Sequence, residues 1–157
     1  GVFMDEMRRA GFQSLWGVTL SEDDVAACRV KKHGVTHGDI SDLDDPDGTV
    51  DLVWCRHAIE HSPYPLFTLY EFNRVLKDGG GLYVEVPGPG LPRAHEWNPN
   101  HYSILGPHMW VALMQRAGFE VFETREITLE LTQNGEKVPE LFYAFMARKC
   151  RSIVNPS

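Results

Sequence analysis

Between residues 50 and 86 the chain spells strand, helix and strand in direct succession, and that order leaves few folds open. Residues 50–55 read Val-Asp-Leu-Val-Trp-Cys, a short apolar run suited to a buried strand. Ser62 followed by Pro63 predicts an N-cap and first helical position, and Leu66, Leu69, Phe72 and Leu76 give the helix one apolar face. Lys77-Asp78-Gly79-Gly80-Gly81 ends it, and residues 82–86, closed by Pro87, form the next strand. Strands joined through a helix are parallel neighbours, and parallel sheets are covered on both faces.

The alternation extends in both directions. Phe3, Met4, Met7 and Ala10 recur at helical spacing with Gly11 as the stop, which predicts a helix over 2–10. Residues 14–20, with Leu15, Trp16 and Val18, suit a buried strand. Ser21-Glu22-Asp23-Asp24 reads as a capping box opening a helix through Val30. A very short strand follows at 35–38, and 39–48, with five Asp, Pro46 and Gly48, is mostly loop. After a long irregular stretch at 88–103, Trp110, Leu113, Met114 and Ala117 mark a helix between Pro107 and Gly118. Two strand-like segments, 120–132 and 138–148, flank Asn134-Gly135, the residues a tight type I′ hairpin prefers.

The expected architecture is α/β: a Rossmann-like, mostly parallel sheet with helices on both faces and a C-terminal antiparallel hairpin. It would be one domain over 1–148 with a tail at 149–157. Ligands in such folds bind beyond the carboxyl ends of the strands. That points to residues 19–21, 38–40, 55–61 and 87–102.

Composition narrows the function. With 157 residues, 43% apolar and 24% charged, the chain is globular in type, and disorder, collagen-like repeats and a coiled coil do not fit. No apolar run approaches the roughly 18 residues that span a bilayer, and the first residues do not read as a secretory signal. A formal charge of −7 repels a phosphate backbone, so the expected partner is a small-molecule acceptor, with no nucleic acid and no membrane. Cys28, Cys55 and Cys150 are too scattered for a disulfide framework, which suggests a reducing, cytoplasmic setting.

Several words of the sequence recur together in one known family. They are Gly17-Val18-Thr19-Leu20-Ser21, Gly38-Asp39-Ile40, residues 51–61 (Asp-Leu-Val-Trp-Cys-Arg-His-Ala-Ile-Glu-His), Phe72-Asn73-Arg74-Val75-Leu76-Lys77-Asp78-Gly79-Gly80 and Gln115-Arg116-Ala117-Gly118-Phe119. In this order the chain resembles the class I S-adenosylmethionine-dependent methyltransferases, in particular the type-11 group, over roughly residues 1–148.

The resemblance implies S-adenosylmethionine as cofactor and assigns residues to it. Gly1-Val2-Phe3 is similar to the tail of the family's Gly-rich loop, so Gly1 would lie under the cofactor. The acidic residue that usually ends the second family strand and holds the ribose is here Thr19, followed by Leu20. A hydroxyl can bond a ribose but lacks a carboxylate's charge-assisted strength. Asp39 corresponds to the side chain near the adenine amino group and Ile40 to the one packing on the ring, while Cys55, Arg56 and His57 would line the sulfonium end.

Methyl transfer is a direct displacement, so alignment of nucleophile, methyl and sulfur supplies much of the acceleration. A general base is needed only where the acceptor must lose a proton early. The candidates are His57, His61 and His101, with Glu60 beside them. The loop at 88–103 carries Arg93, His95, Glu96, Trp97, Asn98, His101 and Tyr102, and His95, Trp97, His101 and Tyr102 are the expected acceptor contacts.

The family's first strand and most of its Gly-rich loop would precede Gly1, which predicts a sheet lacking that central strand. A homo-oligomer in which another chain compensates is one arrangement that would follow. Two rival readings remain. His57, Glu60 and His61 match the H-x-x-E-H zinc-peptidase pattern, which needs both imidazoles on one helix. Since a strand precedes the pattern and Pro63 follows it, no metal is expected there. The other rival is a catalytically inactive methyltransferase-like binding or scaffold domain. A nicotinamide dehydrogenase is disfavoured because no G-x-G-x-x-G follows a strand.

Overall fold

The computed structural model describes residues 2–133 and 135–153. They divide into two compact units, residues 1–43 and 44–157.

The first unit contains α1 (Val2–Arg9), β1 (Trp16–Thr19), α2 (Glu22–Val30) and β2 (Gly34–His37). β1 and β2 pair in parallel with Thr19 opposite His37, so the segments that follow them emerge side by side. The predicted cap forms: Ser21 Oγ accepts the Asp24 amide at 3.1 Å. α1 buries no residue and is secured by Asp5, whose carboxylate accepts from Lys31 Nζ at 2.7 Å and from His33 Nε2 at 2.8 Å. Trp16, expected inside a buried strand, is exposed.

The second unit contains β3 (Val50–Arg56), α3 (Pro65–Val75), β4 (Leu76–Pro87), α4 (Pro107–Arg116), β5 (Phe119–Gln133) and β6 (Glu136–Lys149). Its sheet runs β3-β4-β6-β5, with β3 and β4 parallel and the β4-β6 and β5-β6 pairs antiparallel. Its core combines Leu69, Phe72 and Val75 of α3, Val84 and Val86 of β4, Trp110 and Met114 of α4, and Phe145 of β6. Each large apolar side chain buried this way contributes about 1.5–3 kcal/mol.

The α/β, Rossmann-like architecture and the terminal antiparallel hairpin are as the sequence predicts. The described strands form two separate sheets, with as many antiparallel pairings as parallel ones, so the sheet is mixed where a mostly parallel one was expected. Asn134, the first residue of the predicted turn, lies outside the described residues. Within 149–157, Lys149 closes β6 and the Cys150 and Arg151 amides donate to the Gly118 carbonyl, so these residues belong to the packed unit.

Two boundaries shift for local reasons. α3 starts at Pro65, not Pro63, because each proline forces its predecessor out of the helical region: Ser62 and Tyr64 have ψ of 129° and 70°. Ser62 is therefore not the N-cap; its hydroxyl bonds Thr68 Oγ1 at 2.7 Å and accepts the Tyr64 amide. β4 begins at Leu76, and residues 77–80 bulge out before pairing resumes at Gly81 opposite Leu52. A Cβ on Gly80 would lie 2.8 Å from the Lys77 carbonyl oxygen, so the bulge requires glycine there. No helix among the described residues is long and apolar enough to cross a membrane.

Candidate active site

At the carboxyl ends of β3 and β4 the second unit opens a cavity of about 330 Å³. His57, Glu60, His61, Pro87, Arg93, His95, Asn98, His101 and Phe142 line it. Three segments meet here: the turn leaving β3, the loop leaving β4, and β6.

His57 stands where the chain leaves β3. Its φ of 49° is left-handed, a conformation costing an L-residue roughly 1–2 kcal/mol, and its amide donates to the Glu85 carbonyl at 2.9 Å. Its Nε2 lies 3.0 Å from Glu85 Oε1. Glu85 is 5% exposed and also receives Arg56 Nε at 2.7 Å and the Tyr83 hydroxyl at 2.5 Å. Burial holds the His57 imidazole below its usual value of 6.5, and the Arg56 charge acts the same way against the opposing pull of Glu85. The shift favours the neutral ring at neutral pH, and a neutral ring directing Nε2–H at Glu85 keeps its lone pair on Nδ1.

Residues Ile59–His61 form one 3-10 turn. His57 and His61 therefore do not project from a common helix, and the peptidase geometry that H-x-x-E-H requires is not formed. Glu60 is 1% exposed, its Oε2 has no hydrogen-bond partner among the described residues, and burial pushes its carboxyl upward. An unsatisfied buried polar atom costs about 1–3 kcal/mol, which marks the position as one kept for more than packing.

The loop is clamped onto this turn. The Tyr102 and Ser103 amides donate to the Glu60 carbonyl, and His61 Nδ1 donates to the Asn100 carbonyl at 2.8 Å. From the other side, Arg93 Nη1 and His95 Nε2 each reach an oxygen of Glu140 on β6 at 2.9 Å. His101 is drawn in between, its ring stacked on His95 and edge-on to His61. Burial lowers the pKa of His101 too.

The structure thus brings together His57, His61, His95 and His101. It leaves the other two expected acceptor contacts outside the lining: Trp97 is 86% exposed and Tyr102 contributes its backbone. Arg56 is committed to Glu85, and the Cys55 side chain is buried, its thiol pushed up to about 12 by burial and the Glu60 charge. Sequence reasoning missed Glu85 and Glu140. The signal was present in Glu85, a lone carboxylate within the apolar run Leu82-Tyr83-Val84-Glu85-Val86; nothing local marks Glu140.

The other predicted residues belong to the first unit. Thr19 Oγ1 accepts the Ser21 amide at 3.2 Å, Leu20 is exposed, and the Gly38 amide donates to the Thr19 carbonyl. Asp39 Oδ1 accepts the Ser41 amide at 2.8 Å, next to half-buried Ile40. Gly1 lies outside the described residues.

Comparison with known proteins is consistent with this architecture. Residues 1–84 match the family described as "Methyltransferase domain". A Mycolicibacterium smegmatis protein described as "Probable S-adenosylmethionine-dependent methyltransferase" is 33% identical over 115 residues, covering 69% of this chain; the chain spans 44% of that relative's length. The structure of a SAM-dependent methyltransferase from Archaeoglobus fulgidus superposes with a TM-score of 0.74 at 18% identity, covering 94% of this chain and 80% of that one. One from Mesorhizobium loti gives 0.70 at 16% identity, over 93% and 85%. These structures share the fold, and the match over more than half of the sequence settles the family: the chain belongs to the methyltransferase domain family.

Proposed function

We propose that the chain serves S-adenosylmethionine-dependent methyl transfer to a small-molecule acceptor held in the histidine-lined cavity. The observation that carries this reading is the His57–Glu85 pair, an imidazole 3.0 Å from a buried carboxylate at the carboxyl end of β3.

The ends of β1 and β2 fit the adenosine half of the cofactor by their chemistry. Exposed Leu20 and half-buried Ile40 supply apolar surface for adenine, and Asp39 and Thr19 supply oxygens for amino and hydroxyl groups. When bound, the cofactor supplies an electrophilic methyl on a sulfonium.

The protein's own part is to bind, align and take a proton. The cavity suits a compact acceptor, since ligand pockets run from roughly 300 Å³ upward. Arg93 and Asn98 offer donors to an acceptor oxygen or carboxylate, and Phe142, edge-on to His57, offers apolar contact. His57 Nδ1 would take the acceptor proton as the acceptor–carbon bond forms and the carbon–sulfur bond breaks, S-adenosylhomocysteine leaving with the bonding pair, and Glu85 would stabilise the resulting imidazolium. A positioned base contributes typically 10²–10⁴-fold.

The experiment is transfer of labelled methyl from S-adenosylmethionine to a panel of phenols, carboxylic acids, amines and sugars. Transfer to one class, reduced about 100-fold in His57→Gln with cofactor affinity unchanged, is expected. Equal transfer by the variant would remove His57 from the reaction.

A further inference from the structure

We propose that Glu60, His61 and His101 form a binding site for a divalent transition-metal ion of the zinc class. The inference stands apart from methyl transfer, because metal binding is read without cofactor or acceptor.

One oxygen of Glu60 and one nitrogen from each of His61 and His101 lie within 4.8 Å of one another. Two imidazoles and a carboxylate are ligands that a borderline divalent cation prefers, and three protein ligands leave a fourth position open. The two rings are already set for it. His61 Nδ1 donates to the Asn100 carbonyl and His101 Nδ1 to the His95 carbonyl, each at 2.8 Å. That fixes the tautomer with the lone pair on Nε2, which is how protein-bound histidine ligands are commonly oriented. At His101 that lone pair takes the Asn98 amide at 3.2 Å, a contact the metal would replace.

The second observation is independent of the histidines. Glu60 is 1% exposed, yet its Oε2 meets no donor among the described residues. A cation at this point supplies the missing partner. The neighbouring rings are less suited, since His57 and His95 each direct Nε2 at a carboxylate, Glu85 and Glu140. Donors around a four-coordinate zinc lie about 3.4 Å apart, so binding draws the set inward by about an ångström. His61 is exposed, which gives both the freedom to move and a route for the ion. All three residues line the cavity, so a water or an acceptor oxygen could reach the open position.

The test is calorimetric titration of zinc into the chelator-treated full chain, followed by cobalt absorption and imidazole NMR. Expected are one equivalent of saturable binding, perturbation of the His61 and His101 ring signals, and at least a tenfold loss of affinity in His61→Ala, His101→Ala and Glu60→Gln. His108→Ala, on the exposed part of α4, keeps the wild-type affinity. The absence of saturable binding by the folded wild type, or ring perturbations confined to other histidines, overturns the site irrespective of how the variants fold. Unchanged affinity in all three folded variants does the same.

Discussion

Nε2 of His57 lies 3.0 Å from Oε1 of Glu85, across the parallel β3-β4 boundary and one residue beyond the register pair of Arg56 with Glu85. The relationship has a direct titration consequence. Burial depresses His57 first, Arg56 adds to this, and Glu85 works against both. In metal-free protein the imidazole is expected to titrate below 6.5 by NMR, and Glu85→Gln should lower it further by removing the opposing charge. Titration at or above 6.5, or an upward move in the variant, would contradict this ordering.

The two sequence words around Asn73 and Gly118 meet physically. Gly118 has φ +85°, a Cβ there would lie 2.6 Å from the Arg151 carbonyl and 2.8 Å from Asn73 Nδ2, and Asn73 in turn donates to the Ala117 and Arg151 carbonyls. Gly118→Ala should cost about 2 kcal/mol or more in urea unfolding, combining left-handed strain with displacement of that clamp. A loss under half of that would show that the segment yields easily.

Asp5 supplies a pH-dependent tie in the first unit. Lys31 chiefly, with His33, holds its carboxyl below the ordinary 3.8. A depressed carboxyl stabilises the fold above its unfolded value and loses that contribution as pH falls through the folded value. The stability difference between wild type and Asp5→Asn, present at pH 7, should therefore close at and below the carboxyl range. A difference that persists under acid would assign it to packing.

Thiol labelling separates the cysteines. Cys55 is buried with its thiol pushed up to about 12, Cys28 is buried, and Cys150 is exposed. Brief alkylation of native protein at pH 8 should modify Cys150 alone by peptide mass spectrometry. Comparable modification of Cys55 would mean that the end of β3 opens readily.

Much of the fold was legible because it depends on local chemistry: the Ser21 cap, the Pro107 to Gly118 helix and the antiparallel pairing of β5 with β6 each follow from nearby residues. Ser62-Pro63 misled because a second proline two residues on restarts the helix, a competition between neighbouring positions that single-motif reading does not weigh. The candidate histidines could be named but not arranged. His101 reaches His61 where the Glu60 carbonyl captures the Tyr102 and Ser103 amides, a contact spanning some forty residues of sequence. Glu140 illustrates the same limit, since its role is created by Arg93 and His95 arriving from the loop. Trp97, conspicuous in sequence, is exposed and lines no part of the cavity.

The most direct test of the account is calorimetric titration of S-adenosylmethionine into the chain, repeated with Asp39→Ala. A single saturable site is predicted, weakened about tenfold by loss of a hydrogen bond to a charged oxygen. No binding up to millimolar cofactor would contradict the proposed function, and binding unchanged by the substitution would contradict the assignment of Asp39.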